Sequence, residues 1–345
     1  MIRPDMATEN PCHPNGTGSY DPRVSAHSPL NQPLFEPADR IPALAALRGA
    51  VRRQDWPAVA AAFDAHPDED DRALACRVVA ETPGAEAFLA GAAERTPGEP
   101  LARTLLADRL IQVGWGIRTA HQAQHVSRQQ FQEFHGYLRR AEVLLIGVCA
   151  EHPEYALAWY LRLITARGLE LGAGEARRRY ARLAEHHPHH FSGQQQLLQQ
   201  LCPKWGGDWD AAHGFAAECA KASPPGSPNG ALVAIAQMEQ YLEMAAEGGT
   251  RPAAGHLSSA DVHQRLLAAA AHSVLHPAAR TDVYHHIDAH NAFAAAHSAA
   301  GRPAAAAAHF RVIGNRATEF PWNYLGRGDH AAEFVRHRKA ALAKG

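Results

Sequence analysis

The stretch PEYALAWYLRLITARGLELGAGEARRRYARLAEHHP (residues 153–188) decides the predicted fold, because it has the pattern of one helix hairpin between two prolines. A small residue, Ala176, is followed four residues later by the aromatic Tyr180 and eight residues after that by Pro188. The small side chain allows two helices to approach each other, and the aromatic ring one turn further fills the space between hairpins. The stretch therefore predicts two antiparallel helices.

The same spacing continues in the next part of the chain. Ala211 lies 35 residues after Ala176, and an aromatic residue, Phe215, again follows four positions later. Pro224 then ends this second unit, 36 residues after Pro188. A period of this length, repeated without interruption, is typical of stacked helix hairpins.

A third copy of the pattern, NAFAAAHSAAGRPAAAAAHFRVIG (291–314), has Gly301 in its turn and Ala306 and Phe310 four residues apart. Together the copies resemble the tetratricopeptide repeat, whose period is about 34 residues. They depart from that family in the first helix, where Leu163 stands near the position of an expected small residue. The resemblance implies an all-α, tetratricopeptide-like superhelix of antiparallel helix hairpins over residues 39–345.

The rest of the chain after residue 38 also favours helices of roughly 10 to 18 residues that are joined by short Pro/Gly turns. His-Pro occurs at 66–67, 152–153, 187–188 and 276–277, each time where a helical pattern ends. Proline cannot continue a helix and biases the preceding residue away from helical geometry. The histidine-rich stretch AEHHPHHF (184–191) is therefore predicted to be a turn, and no carboxylate or cysteine completes a metal ligand set there.

Residues 1–38 contain seven prolines among Asn, Ser and Gly residues, a composition that predicts a disordered Pro-rich arm. No apolar run reaches the roughly 18 residues that a membrane span requires, and the first residues lack the apolar core of a signal peptide. The five cysteines are scattered without a CxxC pair, which suits a reducing compartment. We therefore predict a cytoplasmic protein with no membrane partner.

The composition also excludes one class of partner. The formal net charge is −1 with histidine neutral, and 46% of the residues are hydrophobic while only 7% are aromatic. Nucleic-acid binding requires a basic surface that neutralises phosphates, so no nucleic-acid partner is predicted. The 23 histidines are the unusual feature, because their protonation near pH 6.5 would add many positive charges. A pH-responsive adaptor is therefore one functional hypothesis.

Three stretches are similar to a bacterial family that is classed as a domain of unknown function. They are YLRRAEVLLIGVCAEHPEYALAWYLRLITARGLELG (137–172), CPKWGGDWDAAHGFAAECA (202–220) and GSPNGALVAIAQMEQYLEM (226–244). Members of that family carry a Pro-Lys-Trp-Gly-Gly turn between two repeat helices. The resemblance is strongest over residues 100–245, and it implies a tetratricopeptide-like fold without implying an activity.

The turn motif has a physical interpretation of its own. Pro203 ends one helix, two glycines permit positive φ in the turn, and Asp208 is placed to cap the next helix. The tryptophans are predicted to fold over the end of the hairpin, with a ligand-binding aromatic pair as the alternative. The structural motif comprises Lys204, Trp205, Gly206, Gly207 and Trp209.

Motifs of catalysis are missing from the sequence. It contains no GxSxG, no GxxxxGK[ST] and no complete GxGxxG, so no nucleophile elbow, phosphate loop or cofactor is predicted. In HHIDAH (285–290), His286 and His290 are four residues apart and share one helix face. A zinc protease would need Glu where Ile287 stands. A metal-binding protein or metalloenzyme that uses His285, His286 and His290 is therefore the alternative function.

The stretch WGIRTAHQAQH (115–125) is the candidate partner-binding site. Trp115, Arg118, His121 and His125 fall near one stripe of a helix, where Arg118 would bind a carboxylate of the partner. A solvated helix face is the alternative interpretation. Since helical repeats expose an extended surface, the sequence predicts a non-catalytic scaffold or adaptor module whose partner is another protein or peptide. It does not determine the oligomeric state.

Overall fold

The computed structural model describes residues 32–66, 68–118, 126–326 and 328–345. Regular structure in these residues is helical, apart from one isolated β-bridge between Leu34 and Arg316. The predicted all-α class, built from helix hairpins, is confirmed. The predicted disordered arm lies outside the described residues as far as residue 31.

Eighteen α-helices occur in the described residues and are numbered in chain order. They are α1 (Pro37–Arg40), α2 (Pro42–Arg52), α3 (Trp56–Asp64), α4 (Glu69–Ala80), α5 (Glu86–Arg95), α6 (Pro100–Arg118), α7 (Arg128–Glu151), α8 (Ala156–Gly168), α9 (Gly172–His186), α10 (Phe191–Leu201), α11 (Trp209–Ala222), α12 (Ala231–Gly248), α13 (Thr250–Ser258), α14 (Ala260–His272), α15 (His285–Ala299), α16 (Pro303–Ile313), α17 (Glu319–Trp322) and α18 (His330–Leu342). Short 3₁₀ turns occupy Pro203–Trp205 and Pro228–Gly230.

These helices form two compact units. The first unit contains α2 to α10 and ends at Asp208, and the second contains α1 and α11 to α18. Consecutive helices make the main hairpins, such as α8 with α9 in the first unit and α15 with α16 in the second. None of the described helices combines the length and the apolar composition that crossing a membrane requires.

Local sequence signals explain where the helices begin and end. The Asp68 carboxylate accepts hydrogen bonds from two backbone N–H groups at the start of α4. Ser127 and Gln130 form a reciprocal capping box at the start of α7. His152 and His187, each followed by proline, are the C-terminal caps of α7 and α9. The prediction that His-Pro marks helix ends is confirmed at both positions.

The hairpin of residues 153–188 forms α8 and α9 as predicted, with Ala176 buried and Tyr180 half-buried. The Trp159 indole N–H donates to the Pro153 carbonyl at 2.7 Å, which ties the first turn of α8 to the preceding loop. The small side chain of Ala176 on α9 is 1% exposed. Gly168, the last residue of α8, has no room for a Cβ atom because Leu138 on α7 lies against it.

The later copies keep this pattern to different degrees. Ala306 and Phe310 are buried in α16, and Gly301 adopts the left-handed conformation (φ +68°) in the turn before it. In α11, however, Ala211 and Phe215 are only half-buried. The fully buried positions there are shifted by one residue, to Ala212 and Ala216 among others.

Residues 32–38 belong to the second unit, although the sequence predicted them as part of the arm. The Leu34 N–H donates to the Asn315 carbonyl at 2.8 Å, and Pro37 and Ala38 are buried. Directly after them, the Arg40 guanidinium pairs with the Asp288 carboxylate at 3.2 Å. Backbone pairing and a partly buried ion pair, neither visible in the local composition, therefore order this short segment.

Candidate functional site

The predicted partner-binding residues Trp115 and Arg118 lie in the last turn of α6 and are core residues. Trp115 is only 2% exposed, with its ring centroid 4.7 Å from that of Phe134. The Arg118 guanidinium stands over the Trp115 ring at 5.6 Å and is 6% exposed, and this burial lowers the pKa of Arg118. These two residues are therefore buried and form no exposed stripe, and Phe134 on α7 packs against Trp115. His121 and His125 lie outside the described residues.

The turn motif packs into the same region of the first unit. The Trp205 ring meets the Trp115 ring edge to face at 6.4 Å, and the Arg167 guanidinium lies 5.6 Å from the Trp205 centroid. Lys204 is half-buried within the 3₁₀ turn. This cluster of two tryptophans and two arginines was not foreseen, since α6, α8 and the turn are far apart in sequence.

The two glycines of the motif serve different purposes. Gly206 has φ +84°, in the left-handed region that favours glycine. Gly207 was also expected to have a positive φ, but its need for glycine is steric instead. A Cβ atom at Gly207 would collide with the Leu201 carbonyl, so only a hydrogen fits there.

Trp209, the last residue of the motif, begins α11 and packs within the second unit. Its indole N–H donates to the Glu243 carboxylate on α12 at 2.6 Å. Its ring also contacts the ring of His213 one turn further along α11, with the centroids 5.8 Å apart. Trp205 and Trp209 are therefore each anchored by partners inside their own unit.

The fold brings together only two of the three histidines, His285, His286 and His290, of the alternative metal site. The rings of His286 and His290 meet edge to face at 4.6 Å, as their spacing on α15 predicts. His285, however, bonds the Asp288 carboxylate at 3.1 Å. Burial raises the pKa of Asp288, but the nearby Arg40 and His285 outweigh it and hold that pKa at about 2. Across the described parts of the chain, no group of three His, Cys, Asp or Glu side chains is arranged to hold a metal ion.

An open cavity of about 360 Å³ lies between α11, α12 and α14 in the second unit, and we call it the α11–α14 groove. Small apolar side chains form most of its surface, namely Ala216, Ala217, Ala220, Val233, Ala268 and Ala269. Its polar lining residues are His213, Lys221, Gln237, Arg265 and His272. This lining carries two permanently cationic side chains and no carboxylate.

The groove runs between two parallel helices. At one end, the backbone N–H of Gly226, after α11, donates to the His272 carbonyl at the end of α14 at 2.8 Å. The Nε2 atom of His272 bonds the Ser223 carbonyl at 3.0 Å. Towards the other end, Arg265 on α14 lies close enough to His213 on α11 to lower its pKa. The eight residues from His213 to Lys221 span about 12 Å at 1.5 Å per residue.

A chain of side-chain hydrogen bonds fixes the polar wall of the groove. The Nε2 atom of His213 bonds Gln240 at 2.7 Å, while its Nδ1 atom accepts from Gln237 at 3.4 Å. Gln237 bonds His256 in turn at 2.9 Å. Burial and the nearby charge of Arg265 lower the pKa of His213. Together they outweigh the hydrogen bond to Gln240, which raises it. His213 is therefore neutral at physiological pH, and Lys221 and Arg265 supply the charge of the groove.

Comparison with protein-family models finds no match for this chain, and comparison with curated proteins finds none. Membership of the bacterial family with the Pro-Lys-Trp-Gly-Gly turn therefore stays a prediction. The fold and the groove define the chain as an all-α protein of helix hairpins with a cation-rimmed, alanine-lined cavity. Sequence inspection missed this cavity because its residues come from three helices and form no local motif.

Proposed function

We propose that this protein is a non-catalytic protein-interaction module and that its α11–α14 groove binds an acidic, amphipathic helical segment of another protein. The observation that carries the proposal is the combination of an alanine-lined floor with two cationic side chains, Lys221 and Arg265, at the groove. The partner residues predicted from the sequence, Trp115 and Arg118, are buried, so the proposal places binding elsewhere than the stretch 115–125.

The shape of the groove favours the insertion of apolar side chains from a helix. Ala216 and Ala220 are one turn apart on α11, and Ala268 and Ala269 face them from α14. Small side chains in such rows leave depressions that larger residues of an opposing helix fill. A volume of about 360 Å³ is near the lower limit of ligand sites, which suits a few anchoring side chains.

The charge of the groove favours a partner segment with carboxylates. Lys221 is exposed, and Arg265 is exposed as well, with a surface ion pair to Asp261 at 2.7 Å. Because the lining has no carboxylate of its own, acidic side chains of the partner complement it. Such rim charges contribute more to specificity and association rate than to affinity.

The hydrogen bonds of the groove favour binding over catalysis. Both ring nitrogens of His213 are engaged by glutamine side chains, which leaves neither for proton transfer to a bound molecule. The Nε2 atom of His272 is bonded to the Ser223 carbonyl. General acid–base catalysis requires a titrating group within hydrogen-bond reach of the substrate.

The test uses fluorescein-labelled model helices of 15 residues, with Leu at i, i+4 spacing and flanked by either Glu or Lys, in fluorescence anisotropy titrations. We expect saturable binding of the Glu series and at least tenfold weaker binding of the Lys series. Ala268→Phe fills the groove from an exposed position and should abolish binding. Ala271→Phe, on an exposed part of α14 outside the groove, is the matched control and should bind like the wild type.

Charge reversal provides a second arm. Lys221→Glu together with Arg265→Glu should reverse the preference between the two peptide series, whereas Arg251→Glu on the exposed surface of α13 should not. The proposal is overturned if no Glu peptide binds, or if Ala268→Phe and Ala271→Phe bind the Glu peptides equally well.

A further inference from the structure

Five histidines of the second unit lie in one continuous chain of ring contacts, which we call the histidine ladder. It joins α14, α15 and α16 in the order His263, His297, His309, His290 and His286. The successive ring centroids are 5.7, 5.8, 5.1 and 4.6 Å apart. The sequence stretches that contain these histidines are separate, so the ladder exists only in the folded unit.

The middle of the ladder is shielded from water. His290 and His297 have no exposed surface, and His309 is 1% exposed with its ring stacked on Phe293 at 5.2 Å. The Nδ1 atoms of His290 and His309 are 3.0 Å apart, a hydrogen bond that requires one nitrogen to carry the proton and the other to be bare. This bond is possible only while at least one of the two rings is neutral.

Other ring nitrogens of the ladder have no means of stabilising an added proton. Among the described residues, neither ring nitrogen of His297 has a hydrogen-bond partner, and the Nε2 atom of His290 has none either. Protonation would place a positive charge on a buried ring without an acceptor, which is costly in a medium of low polarity. The geometry of the ladder thus requires neutral imidazoles.

The charged groups that face the ladder from the neighbouring segments add to this requirement. Arg302, in the turn before α16, acts on His297 and His263, and Arg316, after α16, acts on His290 and His286. The opposing carboxylate is Asp282, which acts on His286 at the end of the ladder. Two arginines against one aspartate make the surroundings unfavourable for further positive charge.

The pKa values agree with this arrangement. Burial, followed by the charges of His286 and Arg316, lowers the pKa of His290 to about 3. Burial, followed by His263 and Arg302, lowers the pKa of His297 to about 4. Burial and the two neighbouring histidines also lower the pKa of His309 well below its ordinary value.

We infer that the histidine ladder is an acid-sensitive lock that holds α14, α15 and α16 together at neutral pH and releases them when its imidazoles are protonated. The inference goes beyond the proposed binding function and does not depend on it. It also identifies which of the chain's many histidines would respond to acid, namely those of the ladder, three of which are almost completely buried.

The direction of the effect follows from the protonation states. In the open state an imidazole has its ordinary pKa near 6.5, and in the closed state that pKa is lower. Stability from a neutral ladder histidine is therefore complete above about pH 6.5 and is lost as the pH falls towards the closed-state value. At pH 5, His290 and His297 each raise the ratio of open to closed molecules about 30-fold relative to pH 8.

The test is hydrogen–deuterium exchange of the full chain, read by mass spectrometry at pH 7.5 and 5.0 and corrected for intrinsic exchange rates. We expect the protection of peptides from α14, α15 and α16 to fall by more than tenfold at pH 5.0. Peptides from α8 and α9 in the first unit, which contain no part of the ladder, should keep their protection and serve as the internal reference.

Variants assign the effect to the ladder. His297→Phe keeps a buried ring but cannot be protonated, so the acid-induced loss of protection should shrink about 30-fold. His297→Gln is the second variant, for use if phenylalanine does not fit the site, and should shrink the loss in the same direction. His186→Phe, at an exposed position on α9, is the control and should leave the loss unchanged.

Two results would overturn the inference. One is equal protection of α14, α15 and α16 at both pH values in the wild type. The other is a loss of protection at pH 5.0 that stays the same size in His297→Phe and in His297→Gln, because that loss would have to come from groups outside the ladder.

Discussion

The carboxylate of Asp70 on α4 accepts a hydrogen bond from the backbone N–H of Phe191, the first residue of α10, at 2.8 Å. It accepts a second from the N–H of Ser192, also at 2.8 Å, across 122 residues of sequence. Locally, the Nδ1 atom of His190 accepts from the Gly193 N–H at 3.0 Å. The predicted turn AEHHPHHF is confirmed, and its exit into α10 is held by a side chain from another hairpin.

Asp70→Ala should lower the free energy of unfolding by about 1–2 kcal/mol, because two N–H groups at the start of α10 lose their acceptor and the helix dipole loses its anion. Urea denaturation followed by circular dichroism measures the change. Asp64→Ala, at an exposed position at the end of α3, is the control and should change the free energy by less than about 0.5 kcal/mol. Equal costs for both variants would contradict the capping role.

Glu142→Gln should destabilise the first unit by about 3–5 kcal/mol, since it leaves the buried Arg162 without its counter-ion and Arg179 with Glu175 alone. The Glu142 carboxylate on α7 pairs with Arg162 on α8 at 3.0 Å and with Arg179 on α9 at 2.9 Å. The measurement is chemical denaturation at pH 7. Arg178→Ala breaks an exposed pair on α9 and should cost less than about 1 kcal/mol, so a similar loss in both would refute the buried network as a stabilising element.

Trp205→Ala should lower the free energy of unfolding by about 3 kcal/mol, at the lower end of the range for buried tryptophan because the side chain is half-buried. The loss comes from its contacts with Trp115 and Arg167. Thermal and chemical unfolding should both report it, and Trp205→Phe should recover more than half. An unchanged melting temperature in Trp205→Ala would argue against a structural role and for the alternative of a ligand-binding tryptophan.

Asp108→Asn should be more stable than the wild type at pH 8, by up to about 4 kcal/mol, and the gain should shrink as the pH is lowered towards 5. Asp108 is 2% exposed on α6, and burial raises its pKa to about 7. Because the unfolded state ionises near pH 4, the wild type loses stability as the pH rises from about 4 to 7. Urea denaturation at pH 5, 6.5 and 8 measures the difference, and a constant difference would contradict the raised pKa.

Features that depend only on neighbouring residues were predicted correctly from the sequence. Pro153, Pro188 and Gly301 act within a few residues, because they restrict or free the backbone at their own positions, and the helices end or turn where these residues predict. The pair Ala306 and Phe310 was likewise placed correctly on a buried face. Helical spacing alone determines which residues share a face.

The same reasoning did not reach the candidate sites, because each is assembled from distant segments. Helical spacing puts Trp115 and Arg118 on one face but cannot say that α7 and the turn at Trp205 cover it. Likewise it joins His286 to His290 without indicating that His309 on α16 completes the contact. In the α11–α14 groove, alanine side chains from two helices leave an open cavity that no local pattern indicates.

The sequence by itself determined the all-α class, the hairpin period and the helix ends, since these depend on backbone preferences and on spacing within a few turns. Only the tertiary structure decided which polar residues are buried, where the groove lies and how the histidines come into contact. Burial and charge pairing are properties of residues brought together across the chain, as Asp70 and Phe191 show, and no local pattern encodes them.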